Sequence, residues 1–218
     1  MSSLDRLLDN NREWAKKIQS IDANFFNKLI AQQRPEFLWI GCADSRVPAN
    51  EIVDLMPGEL FVHRNVANMV IHTDMNCLAV MQFAVDVLQV KHIMVVGHYG
   101  CGGVRAATED YQHGLIDNWL RNIRDLYVRR KDELMTIEDE KERIDRLCEL
   151  NVMQQVRNVT HSTIIQNAWA RGQSLDVHGW IYGVNDGLIR DLNVSVSSIE
   201  QVEEAYRMAP AQLQRITY

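Results

Sequence analysis

Residues 93–103 read IMVVGHYGCGG, and this stretch decides the fold. Ile93 to Gly97 is a short continuous apolar run, the pattern of a strand covered on both faces. It runs directly into His98, Tyr99, Gly100 and Cys101, followed by a glycine pair that lets the backbone fold tightly around the thiol. A structural strand has little use for an imidazole and a thiol at its end. A metal site does.

Working outward, a second run of the same kind, Phe37 to Gly41, ends in Cys42, Asp44 and Arg46. A third, Glu59 to His63, follows the Pro57-Gly58 turn. In open α/β sheets, chemistry gathers at the carboxyl ends of parallel strands. If the first two strands are neighbours, Cys42, Asp44, His98 and Cys101 converge, and two thiolates, an imidazole and a carboxylate make a tetrahedral zinc shell. Thiolates favour zinc over magnesium or calcium.

Other readings of Cys42 fail on spacing. A phosphatase-type thiolate loop needs a longer interval before its arginine than the three residues here. There is no Cys-x-x-Cys for a thioredoxin motif, and residues 41–46 give no Gly-x-Gly-x-x-Gly for a dinucleotide loop.

The flanking sequence alternates with these strands. Residues 3–32 carry two apolar stripes at helical spacing, with Asp22 as a candidate cap for the second, and Pro35 ends this arm. Pro48 opens a short helix. Residues 75–88 read as a mostly buried helix with Met75 and Met81 in the core, and another helix begins at Cys101 to Ala107. Residues 115–170 are helical with charged faces, broken near Met135 to Glu138. Leu175 to Tyr182 alternates like a strand, Asn185-Asp186-Gly187 signals a hairpin, and Leu188 to Val194 pairs back. Residues 199–214 predict a last amphipathic helix.

The expected architecture is therefore α/β. A mainly parallel sheet of four strands, plus one antiparallel strand, is flanked by helices. Residues 1–218 form one domain, with a helical arm over 1–34 that packs on a partner subunit and a zinc-binding core over 35–218.

The chain has 218 residues, is 46% hydrophobic and carries a net charge of −6. That supports a sizeable core and argues against a nucleic-acid or anionic-membrane surface. The charged amino terminus does not read as a secretory signal, no apolar run approaches a membrane span, and the four cysteines are far apart. Reduced thiols in the cytoplasm are expected. Cys77 and Cys148 are read as small buried hydrophobes. His63, His72, His92, His113, His161 and His178 are read as solvated or core histidines.

GCADSRVPA (41–49), GELFVHRNVAN (58–68) and GHYGCGG (97–103) together resemble the β-class carbonic anhydrases, the bacterial branch in particular. The likeness runs from Trp39 through HGWIYGVNDG (178–187). It implies one Zn2+ per subunit held by Cys42, His98 and Cys101. The fourth position is then taken by water or, in one subgroup, by the carboxylate of Asp44. It also implies an Asp44–Arg46 dyad that gates the zinc and orients the nucleophile. The implied reaction is reversible hydration of carbon dioxide to bicarbonate and a proton, favoured by alkaline conditions because thiolates neutralise more of the metal's charge. Trp39, Arg64 and Tyr182 match the subgroup's inhibitory bicarbonate pocket. Gln33, Phe61 and Val66 match the walls of a narrow apolar substrate cleft at a dimer interface, with Phe83 where relatives often place tyrosine. A homo-oligomer is implied, dimeric at least and tetrameric by family habit. Two alternatives remain open: a hydrolase of a sulfur analogue of carbon dioxide on the same scaffold, and a non-catalytic zinc or bicarbonate-sensing protein.

Overall fold

A computed structural model describes residues 2–31 and 33–209. Helix α1 (Ser3–Ile21) starts from a capping box, in which the Ser2 side chain accepts from Asp5 and the Asp5 carboxylate accepts from the Ser2 backbone. Helix α2 (Phe25–Ala31) follows, with Asp22 accepting from the Asn24 amide in the turn between them.

Strand β1 (Phe37–Cys42) leads into the short helix α3 (Ala49–Ile52), capped by Pro48. Strand β2 (Leu60–Asn65) precedes a 3-10 turn over Val66–Asn68 and helix α4 (Met75–Gln82), which continues as one π-helical turn, Phe83–Val87. Strand β3 (His92–His98) is followed by α5 (Gly102–Ala106). The charged helical region resolves into α6 (Ile116–Arg129), α7 (Lys131–Leu134), α8 (Glu140–His161) and α9 (Thr163–Ala170). The sheet ends with β4 (Asp176–Tyr182) and β5 (Ile189–Asp191).

The strand order is β2-β1-β3-β4-β5, with β5 alone antiparallel. The expected four parallel strands and one antiparallel strand are present. The order reverses direction between β1 and β3, which are hydrogen-bonded neighbours. That is the topological switch point, where the carboxyl ends of adjacent strands leave a crevice.

The two faces of the sheet are covered unequally. Leu38, Ile40, Ile93, Val95, Val177 and Ile181 belong to the larger core cluster, shared with α8 and α9. Helix α8 comes so close that a Cβ on Gly97 would lie 2.5 Å from Val152 Cγ2. On the other face, Trp39, Met94 and Val96 form a smaller cluster with Val47, Ala49 and Leu60. Burial alternates along β4: Val177, Gly179 and Ile181 are enclosed, whereas His178, Trp180 and Tyr182 are only half-buried. Helix α1 buries no residue at all, and Leu4 on its apolar stripe is 70% exposed.

Three sequence expectations are corrected. Met75 is not core but 72% exposed, because it opens α4 and points away from the sheet, while Met81 is fully buried as expected. The 75–88 helix buries one face only, leaving Phe83 and Val87 exposed on the other. The return strand is limited to Ile189–Asp191, because Asn193 adopts a left-handed φ of 56° and interrupts the ladder before the Val177–Val196 bridge.

The final helix is absent from the described part of 199–214, where two 3-10 turns, Ile199–Gln201 and Glu204–Tyr206, replace it. Tertiary bonds override the local pattern: Arg207 donates to the carbonyls of Glu200 and Val202, and Gln166 grips Tyr206 O and Met208 N. Residues 210–214 of that expectation lie outside the described residues.

Candidate metal centre

Cys42 closes β1, His98 closes β3, and Cys101 stands at the start of α5, so the switch point gathers all three. Their donor atoms lie within 4.8 Å of one another, and all three residues are buried. The two sulfurs are 3.9 Å apart. Two thiolates on a tetrahedral zinc, each ~2.3 Å from the metal, stand ~3.8 Å apart, so the thiols are already at ligand separation. His98 Nδ1 pairs with the carbonyl of Tyr99 at 3.0 Å. As an N–H donor there, it leaves Nε2 with a free lone pair. That Nε2 is buried and has no hydrogen-bond partner among the described residues. An orphaned buried imidazole nitrogen facing two thiols fits a divalent metal and is costly without one.

The electrostatics agree. The thiol of Cys101, donating to Cys42, pulls the pKa of Cys42 well below the usual thiol value. The same contact, together with burial, pushes Cys101 up. Burial opposes charge on His98, yet the neighbouring Cys42 sulfur outweighs it and raises its pKa. Two sulfurs this close cannot both be anionic without a cation between them. Cys77 and Cys148 are different: burial pushes each thiol up to about 12, which leaves them inert, as expected.

Asp44 and Arg46 form a fork. Arg46 Nε donates to Asp44 Oδ1 at 3.0 Å, Arg46 Nη2 to Oδ2 at 2.7 Å, and the Arg46 amide to Oδ1 at 2.9 Å. The guanidinium holds the Asp44 carboxyl well below the usual carboxylate range. Asp44 Oδ2 lies 3.8 Å from His98 Nε2, so the fork keeps this carboxylate at the edge of the donor cluster.

The other residues singled out from sequence divide into two groups. Trp39, Arg64 and Tyr182 share the second face of the sheet. Trp39 is fully buried, its Nε1 has no partner among the described residues, and it packs in the same cluster as half-buried Tyr182. Its indole lies so tightly over Gly41 that a Cβ there would come within 2.2 Å of Nε1. Arg64 donates to the carbonyls of Cys42 (2.8 Å) and Asp44, so it braces the loop that carries a ligand and the dyad.

Among the cleft residues, Val66 borders the donor loops, because its Cγ1 is the nearest atom to a Cβ on Gly103. Phe61 and Phe83 lie near each other, tilted at 33° with ring centroids 5.8 Å apart, but Phe61 is in register with Leu38. That is four residues back from Cys42, or ~13 Å along the strand. Gln33 is exposed ahead of β1. One chain therefore does not bring Gln33, Phe61 and Phe83 to its own donor cluster.

Sequence reasoning missed a supporting shell. The amide of Ala67 points at Cys42 Sγ from 3.4 Å. It does so because Ala67 and Asn68 hold left-handed φ values of 65° and 48°, a conformation costing non-glycine residues ~1–3 kcal/mol. Asn65 clamps this turn through the amide and carbonyl of Met69, and Asn151 on α8 donates to Ala67 O. Helix α8 also supports the other loop: Asp145 accepts from the Gly100 amide, and Glu149 accepts from the Tyr99 hydroxyl. The legible signal was Asn151 and Gln155 lying within the apolar stripe of α8, since buried amides in such a place need assigned partners.

A scan against family models matches residues 37–189 to the carbonic anhydrase family. The chain belongs to the β-class carbonic anhydrase family. The carbonic anhydrase of Emericella nidulans is 46% identical over 205 residues, covering 94% of this chain and 90% of that protein. The carbonic anhydrase of Pseudomonas aeruginosa is 32% identical over 78% of this chain and 79% of its own length. Among solved structures, the Coccomyxa β-carbonic anhydrase in complex with acetazolamide superposes with a TM-score of 0.87 at 39% identity, covering 92% of this chain and 90% of its own. A tetrameric β-carbonic anhydrase of Sordaria macrospora gives 0.85 at 39% identity, covering 89% and 99%. Enzymes of this family are zinc-dependent and hydrate carbon dioxide, and the Cys42–His98–Cys101 cluster could hold such an ion. No helix among the described residues is long and apolar enough to cross a membrane.

Proposed function

We propose that this chain hydrates carbon dioxide reversibly at a zinc ion held by Cys42, His98 and Cys101, with Asp44 and Arg46 as gate. The observation that carries this reading is the buried, partnerless Nε2 of His98 beside two thiols at ligand separation. When bound, zinc supplies the Lewis acidity that lets a water ionise near neutral pH.

The chain's own residues do the rest. The Ala67 amide and the Arg64 guanidinium, donating to the Cys42 carbonyl, hold Cys42 in place. Asp44, kept ionised by Arg46, accepts a hydrogen bond from the attacking oxygen and aims its lone pair at the carbon of carbon dioxide. If the fork opens, Asp44 is close enough to His98 to turn onto the donor cluster and close it. Apolar side chains such as Val66 favour carbon dioxide over charged competitors. Gln33, Phe61 and Phe83 complete a cleft only from a second copy of the chain, which makes the working unit a homo-oligomer, dimeric or tetrameric. The exposed apolar stripe of the arm, residues 1–34, supplies a surface for that assembly. Four reduced cysteines suit a cytoplasmic setting.

Bicarbonate inhibition is the second part of the proposal. The unpartnered Nε1 of Trp39, the Arg64 cation and the Tyr182 hydroxyl share one face and present donors to an anion. Bicarbonate bound there competes for Arg64 and loosens the carbonyl of Asp44. Stopped-flow hydration over a pH series, run with metal analysis, tests the first part. Zinc-loaded protein without turnover removes it. A bicarbonate series at fixed pH tests the second: sigmoidal inhibition, abolished in Trp39→Phe, is expected, and simple competitive product inhibition refutes it.

A further inference from the structure

The metal-ligating side chains of this sheet do not all lie at its carboxyl end. His92 opens β3 and is in register with Asp176, which opens β4; His178 stands two residues further along β4 on the same face. Strand β3 therefore carries a histidine at each end, and its start lies ~20 Å from the Cys42–His98–Cys101 cluster. The donor atoms of His92, Asp176 and His178 all lie within 4.8 Å of one another. We propose that these three residues form a second divalent-metal site, specific for Zn2+ or a similar borderline transition-metal ion.

The geometry supports this in three ways. First, His92 Nδ1 and His178 Nε2 are 3.2 Å apart, and His92 Nδ1 lies 3.7 Å from Asp176 Oδ2. Two imidazole nitrogens on one tetrahedral zinc, each ~2.0–2.1 Å from it, are ~3.3 Å apart. The donors come from two hydrogen-bonded strands, so little movement is needed to bind.

Second, the other nitrogen of His178 is already engaged. Its Nδ1 pairs with Ser195 Oγ at 2.8 Å. With Nδ1 as N–H donor to that hydroxyl, Nε2 presents its lone pair to the metal, the usual support of a ligating histidine. Phe37 stacks on the other ring, 5.6 Å from His92 at 23°, and fixes its plane.

Third, the site is reachable. His92 and Asp176 have side chains about one-third exposed, at 32% and 34%. Three protein donors leave at least one position for water. Two imidazoles and one carboxylate select transition metals over magnesium or calcium, with copper and nickel competing with zinc. A third cluster, His63, Asp74 and Cys77, is a weaker candidate, because Asp74 already caps α4 and burial raises the Cys77 thiol.

The test uses zinc-loaded full-length protein, so that the catalytic donors are already filled. Calorimetric titration with Zn2+, and separately with Ni2+, should reveal one further equivalent per chain. Metal counting after gel filtration should find two zincs rather than one. His178→Ala and the near-isosteric Asp176→Asn should each weaken this second equivalent at least ~10-fold, and Ser195→Ala by ~10-fold through loss of the supporting bond. All three should keep the first zinc and the hydration rate, which shows that they fold. A wild type that takes only one metal per chain overturns the proposal. So does a second equivalent that survives His178→Ala and Asp176→Asn unchanged.

Discussion

The carboxyl end of the sheet and the amino-terminal arm are built on opposite principles. At the sheet, every donor is held within one chain: Cys42 by the Ala67 amide and Arg64, His98 by the Tyr99 carbonyl, and the Cys101 loop by Asp145 and Glu149 of α8. The arm is just as well formed locally. It has its capping box and the ion pairs Arg12–Asp9 and Lys16–Glu13. Yet α1 buries nothing. Local helix signals can specify an element completely and still leave its apolar stripe to be satisfied by another molecule. The candidate donor cluster is braced from within the chain, whereas the apolar stripe of α1 stays exposed.

The largest effect should come from the donors themselves. Cys42→Ser, His98→Ala or Cys101→Ala should each abolish stoichiometric zinc and reduce hydration to the uncatalysed background, by metal analysis and stopped-flow. Full zinc retention in any of them breaks the claim that one chain supplies the whole set. Next, Asp44→Asn or Arg46→Ala should keep zinc but lower kcat by ~10²-fold or more. Arg46 holds Asp44 below the usual carboxylate range, so the pair persists at every pH above that range and is lost only as pH falls through the lowered value.

Removing residues 1–34 should leave the sheet and its zinc intact while reducing the assembly's mass in sedimentation. Each large apolar side chain that no longer docks forfeits ~1.5–3 kcal/mol. An unchanged mass would end the contrast drawn above. Gly41→Ala probes the opposite side of the comparison, forcing the Trp39 indole to move at a cost of ~1–3 kcal/mol in denaturant unfolding. Smallest, Ser2→Ala should cost ~1 kcal/mol of stability, read by denaturant unfolding.

The strands that make the site were legible because they are short apolar runs ending in chemistry, and the residues of the donor set sit where those runs stop. The helices of 115–170 were legible from their charged faces and the break before α8. Less legible was anything that depends on a remote partner. The 199–214 stripe has helical spacing, yet Gln166 and Arg207 pull its described part into two tight turns. Phe61 reads as a wall of a cleft at a dimer interface, and register sets it four residues from Cys42 along the paired strands, so any part it plays there depends on a second copy of the chain. His92 and His178 looked ordinary because they are 86 residues apart in sequence, and only the β3–β4 pairing brings His92 Nδ1 to 3.2 Å from His178 Nε2.

Asn151 reaches back 84 residues to hold the carbonyl of Ala67, whose amide faces the sulfur of Cys42. During synthesis, all three residues of the candidate donor cluster leave the ribosome well before that asparagine does. The pocket they form cannot reach its finished shape until the long central helix has been made and has settled against the strands. A substitution in α8 such as Asn151→Ala should therefore surface as poor metallation in metal analysis, although every candidate ligand is intact.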